Sequence, residues 1–430
     1  MLRYVCTTLV WFVGLAPLAS HSSEPDADKP IVIAVLVDGL NDELLHSYAL
    51  PNLKRLEEEG AYSHRLEPTF PAISGPTWVS LSTGCWPAKH GVVTDKFLDP
   101  VLGLMDHSSD PMWIRDCELI QQTAERQGIK TAALGWWGQW SESHGATATY
   151  ISSNAEVEQQ IPRDPTVFLS ESERVAEIRR LLQLDAHPQL ILAYFPGPDH
   201  AAHFEGIESK TVEIRLRALD QALGELTIII DEHPNREQIS LLVFSDHGAV
   251  PVHHIVNVRR ILRRLNIEAQ DIATGTTGFL YLADSEKRAE AVRSLSSYEE
   301  FDVYSKENLP NFAHLGGGPR VPDIILSAKP GYFTADPDLW PWYFQVLTII
   351  GPDFLPSPLL GAGLVAAHGY GPDVPGNDAI FLAWGRGIDP GLNLGSTRMI
   401  DVHPTITNLL GISAGGEVDG IAIPVGGASR

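Results

Sequence analysis

The sequence predicts an α/β protein: a mostly parallel central sheet, helices on both of its faces, and an inserted α+β subdomain. Three observations lead there. Apolar, β-branched runs alternate with stretches of helical periodicity, the order that builds parallel strands joined by crossover helices. The runs at 31–37, 131–134, 189–195 and 240–244 are almost continuously apolar, as strands buried on both faces must be. Chemically loaded residues follow three of these runs, at Asp38, Asp199 and Asp246, and open α/β sheets bind ligands at the carboxyl ends of their strands.

Taken in order, the run Ile31 to Val37 ends on Asp38-Gly39, a carboxylate at the end of a buried strand. Residues 51–60 read as a helix, with Leu53 and Leu56 on one face and Gly60 at its stop. The stretch Phe70-Pro71-Ala72-Ile73-Ser74-Gly75-Pro76 brings a small hydroxyl residue to the start of another helix-like run. Helices at 170–184 and 211–230 separate the later strands. Between His247 and His368 the chain shows strands at 278–282 and 324–327, a helix at 285–295, and loops at 316–319 and 352–363. This is the inserted subdomain, 251–364, set into a core formed by 30–250 and 365–415. A strand at 379–383 and a helix at 401–410, with Pro404 in its first turn, complete the core.

The 430 residues are 44% hydrophobic and 20% charged, an ordinary globular balance. The N-terminus departs from it. A short basic start, an apolar run from Val5 to Leu18 and small residues at Ala19, Ser20 and Ser22 read as a signal peptide over 1–22. That run is short for a bilayer span and no later segment is long and apolar enough, so the expected location is the periplasm or the exterior. Cys85 and Cys117 lie beyond the signal segment, and their spacing fits either one disulfide or two buried thiols. The formal charge of −23 argues against nucleic acid and anionic membranes as partners. It leaves open an anionic small molecule drawn by metal ions, because two divalent ions outweigh the carboxylates of Asp38, Asp199 and Asp246. Nothing in the sequence speaks to oligomeric state.

The ligand candidates come in separated fragments. Asp199 and His203 are four apart, one helical turn. Asp246-His247 follows an apolar strand, where a buried charged pair needs compensation. Asp38 and His368-Gly369-Tyr370 complete a set of three carboxylates and three imidazoles, a donor set suited to two borderline-soft divalent ions such as zinc. A hydroxyl nucleophile beside two such ions points to hydrolysis at phosphorus or sulfur.

These fragments resemble the alkaline phosphatase superfamily, and within it the type I phosphodiesterase / nucleotide pyrophosphatase branch. The resemblance runs from about Ile31 to Ile412. It rests on Val37-Asp38-Gly39, Pro51-Asn52-Leu53, Phe70-Pro71 through Ser74 to Thr83-Gly84, and His90-Gly91. Pro198-Asp199 to His203, Ser245-Asp246-His247-Gly248 and His368-Gly369-Tyr370 continue it. It implies an alkaline phosphatase-like fold and two zinc ions, one on Asp38, Asp246, His247 and Ser74, the other on Asp199, His203 and His368. It further implies that Ser74 attacks phosphorus to give a phosphoseryl intermediate that water then hydrolyses.

Two departures bear on specificity. Where the branch carries an asparagine that donates to phosphate, this chain has Asp95, flanked by Thr94 and Lys96, and an ionised Asp95 cannot donate. Trp78 stands where the sulfatase signature has arginine, and three imidazoles disfavour the calcium that sulfatases use. Trp78 is also a candidate to stack on substrate. The expected activity is a phosphodiesterase or nucleotide pyrophosphatase. A phosphomonoesterase or phosphonate-ester hydrolase on the same site is the main rival, followed by an arylsulfatase-like enzyme and by an inactive binding module.

Overall fold

A computed structural model describes residues 29–106, 114, 116–141, 145–151, 170–334, 342–359 and 363–426; the segment 1–22 read as a signal peptide lies outside them. A nine-stranded sheet organises the core. Across it the strands run Leu392–Asn393, Ala61–Glu67, Ala379–Gly385, Ile239–Ser245, Ile31–Val37, Leu190–Phe195, Thr131–Leu134 and Tyr150–Ile151, with Ser396–Arg398 also paired to Ala61–Glu67. Ile31–Val37 lies parallel to both Ile239–Ser245 and Leu190–Phe195. Ala379–Gly385 runs antiparallel to both of its neighbours, so the sheet is mixed on that side.

The central strand shows why its sequence has no polar alternation. Ile31, Ile33, Val35 and Val37 face a core shared with helices Pro51–Glu59, Glu171–Leu182 and Lys210–Asp231, through Leu53, Ile178 and Leu216 among others. Val32, Ala34 and Leu36 face the opposite core, with Leu81, Ile120 and Ile406 from the helices on that side. Each such Val, Leu or Ile contributes about 1.5–3 kcal/mol by leaving water, on either face. A charge placed at Val35 would leave one core with an unpaired buried ion and unfold it.

Helix ends follow local chemistry. Ser170 opens helix Glu171–Leu182 with a capping box: its hydroxyl accepts from the Glu173 N–H, and the Glu173 carboxylate accepts from the Ser170 N–H at 2.8 Å. Ser209 caps the long helix Lys210–Asp231 by accepting from the Val212 N–H.

Between the core segments lies an antiparallel sheet of four strands in the order Ala269–Thr274, Thr277–Leu282, Ile324–Ala328 and Phe301–Ser305. Helices Val258–Arg264 and Arg288–Leu295 pack on it through Ile261, Leu262 and Leu295. A second small sheet is built on Val250–Val256, which pairs in parallel with Gly331–Thr334 and antiparallel with Phe354–Pro356 and Ala366–Ala367. Strands Ala61–Glu67, Val250–Val256 and Ala269–Thr274 are absent from the sequence reading. Each mixes exposed polar with buried positions and lacks the continuous apolar run that marks the central strands.

Candidate active site

Strand register assembles the first donor set. Val37 pairs with Ser245, so the next residue on each strand, Asp38 and Asp246, emerges side by side. His247 follows Asp246 in chain. Its Nε2 lies 3.2 Å from Asp246 Oδ2 and 3.6 Å from Asp38 Oδ1, with all three residues buried. Other groups hold the carboxylates in place. The Trp78 indole donates to Asp246 Oδ2 at 2.6 Å, the Tyr194 hydroxyl donates to Asp38 Oδ2 at 2.8 Å, and the N–H groups of Gly39 and His247 donate to Asp246 Oδ1.

The second set, Asp199, His203 and His368, is less enclosed. Asp199 and His203 sit one turn apart on the short helix Asp199–Glu205, and His368 follows strand Ala366–Ala367. His203 Nε2 lies 3.4 Å and His368 Nε2 3.9 Å from Asp199 carboxylate oxygens. Two glycines allow the sets to approach each other. A Cβ on Gly197 (φ +57°) would fall 2.3 Å from the Asp38 carbonyl oxygen, and one on Gly39 (φ +70°) would fall 2.7 Å from the Asp199 Cβ. The His247 and His368 rings stack with centroids 3.4 Å apart.

The hydrogen bonds fix which nitrogens are free to ligate. Nδ1 of His203 faces the Ala366 carbonyl at 2.8 Å, Nδ1 of His368 faces that of Ala72 at 2.9 Å, and Nδ1 of His247 faces that of Gly248 at 3.0 Å. A carbonyl can only accept, so each Nδ1 carries a proton and each Nε2 is the nitrogen turned toward the donor sets. The Nε2 atoms of His203 and His368 then face each other at 3.2 Å with no proton to share while both rings are neutral. Oδ1 of Asp38 and Oδ1 of Asp199 are buried without a hydrogen-bond partner. A cation within each set would satisfy all of these groups at once.

Electrostatics point the same way. Burial, reinforced by the charges of Asp246 and Asp199, pushes the Asp38 carboxyl well above its usual range. Burial alone would lower His247, but the negative charges of Asp246, Asp38 and Asp199 push it up to about 10. Burial and the neighbouring His247 and His203 drive His368 far down. Three carboxylates and three imidazoles gathered in this way are a donor set of the kind that zinc-like ions take.

Ser74 is the first residue of helix Ser74–Thr83, half-buried, with its Oγ 3.4 Å from His247 Nε2. The four other residues singled out around the phosphate position do not share one environment. Asp95 does not stand off from the helix: its carboxylate accepts from the Gly75 N–H at 2.8 Å, one of the free donors of the helix start. Thr94 is buried and bonds Thr274 through its hydroxyl. Lys96 begins the hairpin strand Lys96–Asp99. Trp78 turns its N–H to Asp246 and packs its ring 5.0 Å from that of Tyr194, which makes it a support for a carboxylate.

Tyr194 is a site residue that sequence reasoning missed. Its one signal is a phenol within the apolar run at 189–195, next to the strand's end. Asn377 is a second: it accepts from the N–H groups of Gly369 and Tyr370 and fixes the turn after His368. Of the two readings for the cysteines, the disulfide holds, since Cys85 and Cys117 are bonded.

Comparison with known proteins gives a consistent picture. A family model described as type I phosphodiesterase / nucleotide pyrophosphatase matches residues 32–370. An uncharacterized pyrophosphatase/phosphodiesterase of Schizosaccharomyces pombe is 26% identical over 416 residues, covering 92% of this chain and 80% of its own. The bis(5'-adenosyl)-triphosphatase enpp4 of Mus musculus is 22% identical, covering 90% of this chain and 79% of its own. Among solved structures, murine ectonucleotide pyrophosphatase / phosphodiesterase 5 superposes with a TM-score of 0.74 at 20% identity, over 90% of this chain and 96% of the other. An inactive variant of that murine protein, solved with AMP, gives a TM-score of 0.75. These structural likenesses establish the fold.

Proposed function

The chain belongs to the type I phosphodiesterase / nucleotide pyrophosphatase family, and from that premise we propose that it is an exported two-zinc hydrolase of phosphodiester or pyrophosphate bonds, acting through Ser74. The observation that carries the reading is the convergence on one point of a half-buried hydroxyl and two donor sets. Ser74 Oγ lies 3.4 Å from His247 Nε2, and His247 stacks on His368 at 3.4 Å. Asp38, Asp246 and His247 would hold one ion and Asp199, His203 and His368 the other. When bound, the ions would supply the positive charge that favours an ionised hydroxyl and neutralises phosphoryl oxygens.

The chain's own residues do the rest. Ser74 attacks phosphorus in line, the P–O bond to the leaving group breaks, and a phosphoseryl ester is left for water to cleave. Trp78 and the Gly39 N–H hold the two oxygens of Asp246, and Tyr194 holds Asp38 Oδ2, so that Asp38 Oδ1 is left for the ion. The positive end of the dipole of helix Ser74–Thr83 favours negative charge beside Ser74, although the Gly75 N–H is taken by Asp95 and Pro76 has none. Export is supported by the apolar run from Val5 to Leu18 and by the Cys85–Cys117 disulfide, a bond typical of oxidising compartments. No helix among the described residues is long and apolar enough to cross a membrane. The names of the relatives, among them a dinucleoside triphosphatase, support small nucleotide esters as substrates.

The deciding experiment compares kcat/KM on a nucleoside phosphodiester, a phosphate monoester, a phosphonate monoester and an aryl sulfate. The diester is expected to lead. A monoester or phosphonate rate tenfold above the diester rate would overturn the diesterase reading, and an aryl sulfate leading would overturn phosphorus chemistry altogether.

A further inference from the structure

One more set of nitrogen and oxygen donors converges outside the candidate active site. Asp42 and His46 lie at i and i+4 on helix Asp42–Ser47, and His64 lies on strand Ala61–Glu67. One donor atom from each falls within 4.8 Å of the others. Asp42 Oδ1 is 2.9 Å from His46 Nδ1 and 3.4 Å from His64 Nδ1. In a tetrahedral shell with bonds of about 2.0–2.1 Å, ligand atoms stand about 3.3 Å apart. The observed separations bracket that value.

A fourth residue stands behind both rings. Glu57, on helix Pro51–Glu59, places Oε1 3.0 Å from His64 Nε2 and Oε2 3.7 Å from His46 Nε2. With its side chain only 19% exposed, Glu57 is the least accessible of the four. A carboxylate behind a ligating ring is the usual device for fixing a histidine's tautomer: it accepts a hydrogen bond from the Nε2–H, which leaves the Nδ1 lone pair for a metal. Here Glu57 does so for His64 and stands 3.7 Å from His46 Nε2, and both Nδ1 atoms converge on the same oxygen of Asp42.

We propose that Asp42, His46 and His64 form a separate binding site for a divalent transition ion of the zinc type, with Glu57 as the outer carboxylate that orients His64 and faces His46. The ion would cross-link the helix that starts four residues after Asp38 to strand Ala61–Glu67, and the shell would be completed by water, since the site is open to solvent. Without an ion, His46 Nδ1 lies 3.0 Å from the Asp42 carbonyl oxygen and carries a proton there. Binding at Nδ1 therefore moves that proton to Nε2, on the side of Glu57, as the N–metal bond forms.

Zinc itself is the probe. Intact protein is dialysed to equilibrium against micromolar free zinc, and bound zinc is counted by elemental analysis for the wild type, His46→Ala, His64→Ala and Glu57→Gln. The wild type is expected to hold one more zinc per chain than either histidine variant, with turnover unchanged in both. Glu57→Gln is expected to weaken the extra ion roughly 10- to 100-fold. Added zinc should also raise the wild-type melting temperature above that of His64→Gln, a milder change that keeps the ring's bulk. Equal zinc content in the wild type and the histidine variants overturns the proposal and leaves an ion-paired surface cluster. Because the count is a difference between variants, it does not depend on how many ions the active site holds.

Discussion

The two donor sets of the active site are built differently. Asp38, Asp246 and His247 stand at the aligned ends of buried parallel strands, and Trp78, Tyr194 and two backbone N–H groups hold their carboxylates. Asp199 and His203 ride on a helix of seven residues, and His368 on the loop after a two-residue strand. There no donor among the described residues from outside the set holds the Asp199 carboxylate, which faces only the Nε2 atoms of His203 and His368. The contrast teaches that geometry is pre-set where Ser74 touches, at His247, and that under the proposed function an ion would complete it where Asp199, His203 and His368 meet. Chelation should therefore empty the second set first.

The largest effect that sharpens this contrast is at Ser74. Ser74→Ala is expected to lower kcat by about three orders of magnitude or more while metal content stays at the wild-type level, because the charged ligands around it remain. Activity within tenfold of wild type would mean that water attacks directly.

Next comes the scaffold of the rigid set. Trp78→Phe keeps the ring and removes the N–H that reaches Asp246 at 2.6 Å. Metal affinity of the Asp38–Asp246–His247 set should fall roughly 10- to 100-fold, with the other set unaffected. An equal loss from both sets would erase the distinction between them.

Asp95 lies at the same helix start, where it accepts from the Gly75 N–H at 2.8 Å. Asp95→Asn removes a negative charge beside Ser74, keeps an oxygen for that N–H and adds a donor. Diester kcat/KM should rise about tenfold, the equivalent of about 1.4 kcal/mol. An unchanged rate would make Asp95 a helix cap only.

The smallest effect is on acid stability. Helix Ser74–Thr83 is braced by two buried imidazoles: His90 Nε2 lies 2.8 Å from Ser80 Oγ, and His403 Nδ1 lies 2.9 Å from the Ser82 carbonyl oxygen. The Val92 N–H donates to His90 Nδ1, so His90 is neutral. Burial, aided by the Arg320 charge, holds His90 down to about 3, and burial holds His403 down to about 4, both from an ordinary 6.5. Between those limits the unfolded chain takes up protons that the folded chain refuses. Stability is therefore full above pH 6.5 and declines as pH falls below it, by on the order of 1 kcal/mol per histidine per pH unit. Melting temperatures measured from pH 7.5 to 4.5 should show that fall, and His403→Gln should flatten it. A flat wild-type profile would mean that these histidines do not resist protonation.

The sequence made the rigid half of the molecule more legible than the rest. Ile31 to Val37 announces itself as a doubly buried strand, and a carboxylate just past such a strand has few other reasons to be there. Asp199 and His203 were readable from one helical turn. Ala61–Glu67 was not, because an edge-side strand with His64 and Arg65 turned outward lacks the apolar run that betrays a central one. The supports were unreadable for another reason. Trp78 reaches Asp246 across 168 residues of chain, and Tyr194 reaches Asp38 across 156. Sequence gave Trp78 a place near the site but suggested a stacking face. Only the folded register shows that its N–H is already committed. The same holds for Asp95, whose helix contact depends on how the turn after His90-Gly91 folds back.

The central claim is that two separate donor sets each hold one zinc. Elemental analysis of protein purified without chelator tests it most directly when the wild type is run beside His203→Ala, both in the background of His64→Ala so that the Asp42–His46–His64 cluster cannot contribute. The expected result is two zinc ions per chain in the first and one in the second. A single calcium with no zinc, or the same zinc content in both proteins, would contradict the account.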